Sequence, residues 1–300
     1  MLTARPARSG PSDYHQCHHR RGRRGRKNES LAIVARETGS AMAVGSQFGT
    51  VRTGLHRDSY TIVRKCNPKG LIFANLSAFA SVEQAKAAID MISADALQIH
   101  LNPAQELAME EGDRDFSNCL SHIEAMVQGV GVPVIVKETG CGMAKKEAQD
   151  LLDVGVTLLD IGGAGGTNFP AIEHQRYPEG NKELSEWGIP TVLSLLSVVQ
   201  TVGWGNGVIA SGGIRSALDV VKAQVLGASA VAMAGNLLQK IQQEGTEETI
   251  HFLQRLLNKV LDFYTLLGCR TFRDLHEARY YLTGETAQAV SWLRKYDQND

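Results

Sequence analysis

GVIASGGIRSALDVVKAQVLGASAVAMAG, residues 207 to 235, is the stretch that decides the fold. Two apolar runs, GVIASGG (207 to 213) and SAVAMAG (229 to 235), show no polar alternation, so each reads as a strand buried on both faces. Between them SALDVVKAQVLG has a helical period, and both runs end in small residues. A strand, a crossover helix and a second strand in that order imply a parallel sheet.

The unit repeats toward the N-terminus. Further runs are AMAVGSQ (41 to 47), GLIFANLS (70 to 77), ALQIHLN (96 to 102), VPVIVKETG (132 to 140) and TLLDIGG (157 to 163), with helical stretches such as SVEQAKAAIDMI between them. Alternation every ~30 residues suits a (β/α)8 TIM barrel or a doubly wound sheet. The barrel is preferred for two reasons: chemically useful residues end nearly every run, and the two late loops, SGGIR and MAG, suit a phosphate. Seven runs are found and a closed barrel needs eight, so strand 1 is expected before residue 41 and is missing or replaced. After residue 236 the pattern is helical only, in LLQKIQQEG, ETIHFLQRLLNKVLDFYTLLG and TFRDLHEA. The expected organisation is a basic, disordered head over 1 to 28, a barrel over 29 to 236 and C-terminal helices over 237 to 300.

Composition narrows the class. With 300 residues, 43% of them hydrophobic, the chain can bury a large core. Of its 31 Lys and Arg, eight lie in the first 27 residues, against one of the 32 acidic residues, so a basic head precedes an acidic body. Cys17, Cys66, Cys119, Cys141 and Cys269 are scattered without a CxxC pair, which points to a reducing, cytoplasmic setting. No uncharged apolar run reaches the ~18 residues of a membrane span, so no membrane partner is expected.

Strand ends carry the chemistry: Gly45-Ser46-Gln47, Asn75, His100, Asn102, Lys137-Glu138, the loop GGAGGTN to Asn168, Gly212-Gly213-Ile214-Arg215 and Ala234-Gly235. Singly, a strand-end His is usually structural and a Gly pair usually marks a turn. Together they line one rim. Backbone N–H groups of SGGIR and MAG could hold a dianionic phosphate, GGAGGTN lets backbone approach a flat ligand, and Lys137 ends a buried strand. That combination suits flavin mononucleotide, its phosphate at the last two loops and Lys137 and Thr167 near the ring's polar edge. In QIHLNPAQE, His100 and Asn102 share a face, and Gln105 and Glu106 follow where Mg²⁺ could be held beside a substrate phosphate.

From about Glu29 to Asp300 the chain resembles the type 2 isopentenyl-diphosphate isomerase family. The matching segments are AVGSQ, NPKGLIFANL, ALQIHLNPAQELAMEEGDRDF, VPVIVKETGCGM, DIGGAGGTNF, IASGGIRSALDVVKA and GASAVAMAG. The resemblance implies FMN contacts at Ser46, Asn75, Lys137, Thr167, Gly213, Ile214, Arg215, Ala234 and Gly235, and Mg²⁺ at Glu106. It implies catalytic, substrate-facing roles for His100, Asn102 and Gln105, and places Glu173 and Trp187 near the flavin. The implied reaction interconverts isopentenyl and dimethylallyl diphosphates on reduced FMN, with NAD(P)H as reductant, in a homo-oligomer. The alternatives are an FMN-dependent oxidoreductase barrel of the hydroxy-acid oxidase or inosinate dehydrogenase type, and a basic-headed, non-catalytic binding protein.

The head departs from the family, whose first strand follows a pattern like PIFINA(M/I)TGG. Here HQCHHRRGRRGRKNES (15 to 30) stands instead. It can be read as an anion-binding tail, as a His/Cys metal site, or as codons translated out of frame. The genetic code favours the last: shifted by one nucleotide, SDYHQCHHRR can spell P-I-T-I-N-A-I-T-G-G. On that reading nucleic acid is no partner, the barrel has an open seam, and the activity of this chain is impaired.

Overall fold

The computed structural model describes residues 23 to 296. The head, with the out-of-frame reading of residues 12 to 22, lies outside the described residues. Helix α1 (Arg23–Thr38) already includes the last residues assigned to the head, and Asn28 and Glu29 are buried.

All seven runs form strands: β1 (Met42–Ala43), β2 (Ile72–Ser77), β3 (Ala96–Leu101), β4 (Val134–Glu138), β5 (Leu158–Asp160), β6 (Val208–Ala210) and β7 (Ala230–Val231). Every neighbour pair is parallel, and the spatial order is the chain order, β1 through β7. A doubly wound sheet reverses its order at a switch point. Seven consecutive strands are therefore the wall of a (β/α)8 barrel, with seven of eight strands among the described residues. At each end of that wall, β1 and β7 are only two residues long.

The helices that matter for the site follow in order. After β1 come α2 (Phe48–Thr53) and α3 (Asp58–Cys66); α4 (Val82–Ile92) joins β2 to β3. Ser81 and Gln84 form a capping box on α4, with Ser81 Oγ accepting from Gln84 N at 3.3 Å. After β3 come α5 (Pro103–Ala108) and α6 (Cys119–Gly129); α7 (Lys145–Asp153) follows β4, and α8 (Phe169–Arg176) and α9 (Thr191–Val202) follow β5. Then α10 (Ala217–Val225) leads to β7, and α11 (Gly235–Leu266) follows it, broken at Gly245, whose φ is 88°. A last helix, α12 (Gly284–Tyr296), ends the described residues, and TFRDLHEA holds a 3-10 turn (Phe272–Glu277) rather than an α-helix. No helix among the described residues is long and apolar enough to cross a membrane.

Among the described residues helix α1 joins the outer layer of helices. It packs between α3 and α11. Asn28 Nδ2 donates to Ser59 O at 2.8 Å, Arg36 Nη1 to Cys66 O at 3.0 Å, and Thr246 Oγ1 of α11 bonds Ser30 Oγ at 2.9 Å. Ala32, Val34 and Ala35 enter the core beside them.

Candidate active site

Strand register builds the site floor. Ser77, His100, Lys137 and Asp160 are neighbours in one row across β2 to β5, and Asn75 and Gln98 pair one layer below. Alternation sends Ala74, Leu76, Leu97, Ile99, Val136 and Leu159 to the opposite face, where they are fully buried in the apolar core.

One polar network ties the lower layer together. Gln47 Oε1 accepts from Asn75 N at 3.0 Å, Gln47 N donates to Asn75 O at 2.8 Å, and Gln47 Nε2 donates to Ala88 O of α4 at 3.0 Å. Asn75 Nδ2 donates to Gln98 Oε1 at 2.9 Å, which turns Asn75 Oδ1 toward His100 Nδ1 at 3.0 Å. Burial, and secondly the Lys137 charge, push the His100 pKa down to about 4, so its ring is neutral near pH 7. With the Nδ1 proton directed at Asn75, the Nε2 lone pair is left as an acceptor.

Lys137 and Glu138 part ways at the end of β4. Lys137 Nζ donates to Glu138 O at 2.7 Å. The Glu138 carboxyl is buried, and its Oε2 accepts from the N–H groups of Gly140, Cys141 and Gly142 at 2.7, 2.6 and 3.2 Å. Burial outweighs those donors and pushes its pKa up to about 7. The same burial, with Glu138 beside it, raises the Cys141 thiol to about 11, so the thiol is no nucleophile at neutral pH.

The loops after β5 and β6, where the sequence suggests a phosphate, are interlocked. A Cβ on Gly212 would sit closer than 3.0 Å to the Gly163 carbonyl, one on Gly213 equally close to Gly165, and one on Gly163 equally close to Thr191 Cα. Thr191 Oγ1 donates to Gly212 O at 2.6 Å, and Asp160 binds the Ser211 hydroxyl. The sequence suggests that the start of α10 is an open anion cradle, but Asp219 Oδ2 already accepts from Arg215 N at 3.1 Å and Ser216 N at 2.9 Å. Those two donors are unavailable to a phosphate, because Ser216 and Asp219 form their own capping box. The start of α11 differs: no side chain caps it, its first turn holds no acid, and a Cβ added to Gly235 would come within 3.4 Å of Thr167 Oγ1. Of the two helix starts, that of α11 is therefore the one whose first-turn backbone donors have no competing side-chain acceptor.

The rim of β3 holds the other sequence-predicted residues. Asn102 Nδ2 donates to Glu106 Oε1 at 2.7 Å, and Asp113 N donates to Glu106 Oε2 at 3.1 Å. Gln105 Nε2 donates to Glu173 Oε1 at 2.9 Å. The Arg114 guanidinium fastens the turn below them, giving 2.6 Å bonds to Glu106 O and Met109 O. Among the described residues no group of three or more His, Cys, Asp or Glu could cage a metal. A lone carboxylate flanked by amides fits Mg²⁺ only as an ion shared with a substrate diphosphate.

The structure thus joins His100 to Asn75 and Asn102 to Glu106, and leaves Thr167 near Gly235 without a bond between them. Ser46 stands apart at the open end of the wall, lining a cavity of about 170 Å³ with Asn28, Gly45 and Tyr60. Arg215 and Ala234 are exposed on the rim, and Trp187 is 71% exposed. Sequence reasoning assigned no role to Arg114 or Arg176, since each acts through contacts that periodicity does not show. The Ser216-x-x-Asp219 capping signal, by contrast, was readable.

Comparison with known proteins places these features among relatives. The profile of a family described as FMN-dependent dehydrogenase matches residues 50–282. An isopentenyl-diphosphate delta-isomerase of Geobacillus sp. (strain WCH70) is 47% identical over 259 residues, covering 86% of this chain and 74% of the relative. One from Bacillus pumilus (strain SAFR-032) is 44% identical over 268 residues, covering 89% and 74%. One from Listeria innocua serovar 6a is 42% identical over 273 residues, covering 91% and 76%. Among solved structures, mandelate oxidase superposes with a TM-score of 0.60 at 18% identity, covering 85% of this chain and 74% of that one. Its complex with benzoyl-formic acid gives 0.60 at 17%, covering 85% and 73%. Likeness at that identity concerns the fold alone.

Proposed function

The chain belongs to the FMN-dependent dehydrogenase family, among its isopentenyl-diphosphate delta-isomerases, and from that membership we propose that it converts isopentenyl diphosphate to dimethylallyl diphosphate on reduced FMN. The observation that carries the reading is the β3 rim, where Asn102, Gln105 and Glu106 stand side by side above a neutral His100.

The reaction adds a proton at one carbon and removes one from another, with no net redox change, through a transition state of tertiary-cation character. Reduced FMN, when bound, supplies an electron-rich ring against which the hydrocarbon end gains and loses those protons. The protein's share is placement and charge. Glu106, held by Asn102 and Asp113, would hold a Mg²⁺ that offsets the charge of the diphosphate. Gly213, Ile214, Thr167 and Gly235 would seat the FMN phosphate, and Lys137 would offer its ammonium to the ring's polar edge. His100 contributes a lone pair that can accept from water or a protonated phosphate oxygen. NAD(P)H as reductant, a homo-oligomeric assembly and a cytoplasmic location belong to the same reading.

The test is anaerobic incubation with FMN, Mg²⁺, NADPH and isopentenyl diphosphate. Dimethylallyl diphosphate should form and should disappear when FMN or reductant is withheld. FMN-dependent oxidation of a 2-hydroxy acid in place of isomerisation would transfer the chain to the oxidase reading. Because the sequence of the head departs from the family's first-strand pattern, turnover is expected to be low, and a rate equal to that of the Geobacillus relative measured alongside would overturn that part.

A narrower test concerns the metal. In Glu106→Gln the amide keeps the shape but loses the charge. The variant is expected to lose Mn²⁺ binding, read by electron paramagnetic resonance with isopentenyl diphosphate present, and on the order of a hundredfold in kcat/KM. Unchanged Mn²⁺ binding would place the ion elsewhere.

A further inference from the structure

A glutamine side chain has two unlike ends, an NH2 that only donates and a carbonyl oxygen that only accepts. Which end of Gln105 faces the site is decided by its neighbour on α8. Glu173 is 6% exposed, and both of its oxygens are occupied: Oε1 accepts from Gln105 Nε2 at 2.9 Å, and Oε2 accepts from Arg176 Nη1 at 2.5 Å. Arg176 is itself 61% exposed and reaches across to Glu111 at 3.7 Å. Glu111 lies in the turn whose Asp113 N–H holds Glu106. No other cation pairs with Glu173 among the described residues, although the 3-10 turn packed on α8 (Lys182–Glu186) carries Lys182, Glu183 and Glu186.

We propose that Arg176 is a positioning residue: acting through Glu173, it fixes which way round the Gln105 amide stands. Beside a guanidinium a carboxylate is an acceptor only, so it takes the NH2 end of Gln105. The carbonyl oxygen of Gln105 is thereby left for the substrate. A carbonyl dipole directed at a cation-like transition state stabilises it, whereas a reversed amide would present its positive end to the same charge. Without Arg176, Oε2 of the buried Glu173 loses its donor, the carboxylate is no longer held at a fixed angle, and the Gln105 amide that it orients is free to turn.

The role in catalysis rests on the isomerase reading, so the test has one arm that needs turnover and one that does not. In the first, Arg176→Gln is expected to lower kcat about tenfold or more with KM within about threefold, and Arg176→Lys to recover most of the loss by keeping the charge. In the second, melting temperatures are compared for Arg176→Gln, Gln105→Ala and the double variant. An Arg176 that acted only through Glu111 would leave Gln105 untouched and give additive losses. The proposal expects the double variant to lose less than the sum. Additive losses, or a raised KM with unchanged kcat, would overturn it. If the isomerase reading itself fails, no variant turns over, and the melting comparison still decides whether Arg176 acts on Gln105.

Discussion

Gly212→Ala is expected to abolish retention of FMN during purification and to lower the melting temperature by roughly 6 to 12 °C. Two costs add. Gly212 has φ +101°, a conformation that L side chains rarely adopt, which costs roughly 1 to 3 kcal/mol. Its Cβ would also meet the carbonyl oxygen, nitrogen and carbonyl carbon of Gly163, all backbone atoms that cannot rotate aside. Overpacking of that kind costs about 1 to 3 kcal/mol more. The control is Gly39→Ala: Gly39 also has a positive φ, +67°, but nothing lies within 4 Å of its would-be Cβ. It should cost only the backbone strain and leave the flavin bound. Equal losses in the two variants, by differential scanning fluorimetry and bound-flavin absorbance, would show that the loop interlock contributes nothing.

The second large effect is a pair of opposed pH dependences. His100 has its folded pKa depressed from 6.5 to about 4, so the unfolded chain takes up a proton first, and His100's contribution is lost as pH falls from about 6.5 to 4. Glu138 has its folded pKa raised from 4.5 to about 7, so its contribution is full below about 4.5 and is lost as pH rises toward 7. Each shift corresponds to at most ~3 kcal/mol, and the two slopes oppose each other over the same window. The native protein should therefore show little net slope from these groups between pH 5 and 6.5, windows set by the two shifts. In His100→Gln the melting temperature should fall as pH rises through this range, and in Glu138→Gln it should climb. If both variants run parallel to the native protein, burial does not govern either group.

Much of this was legible in the sequence, for a physical reason. A strand of a parallel barrel is apolar on both faces, so ALQIHLN and VPVIVKETG announce themselves without an alternating pattern, and the residues ending them are necessarily on the rim. His100, Asn102, Gln105 and Glu106 were legible on that ground. What stayed hidden depends on distance along the chain. Glu173 was named from the resemblance, but its bond to Gln105, 68 positions back, and the part of Arg176, 71 positions beyond Gln105, follow no local period. Helix α1 was hidden too: RRGRK looks like a charged tail, yet it is continuous with NESLAIVARE, whose face packs between α3 and α11.

The interlock of the β5 and β6 loops also bears on the order in which the molecule assembles. The Asp160–Ser211 bond joins residues 51 apart, and the Gly163–Gly212 approach is of similar span. Contacts of that separation close slowly, after local helices and hairpin-sized units have formed. Until they close, neither loop has the backbone shape that a phosphate requires, so flavin capture should be among the last events of refolding. Flavin fluorescence should then change only in the slowest phase, later than the recovery of helical circular dichroism, and the bound nucleotide would act as a clasp on a wall already raised.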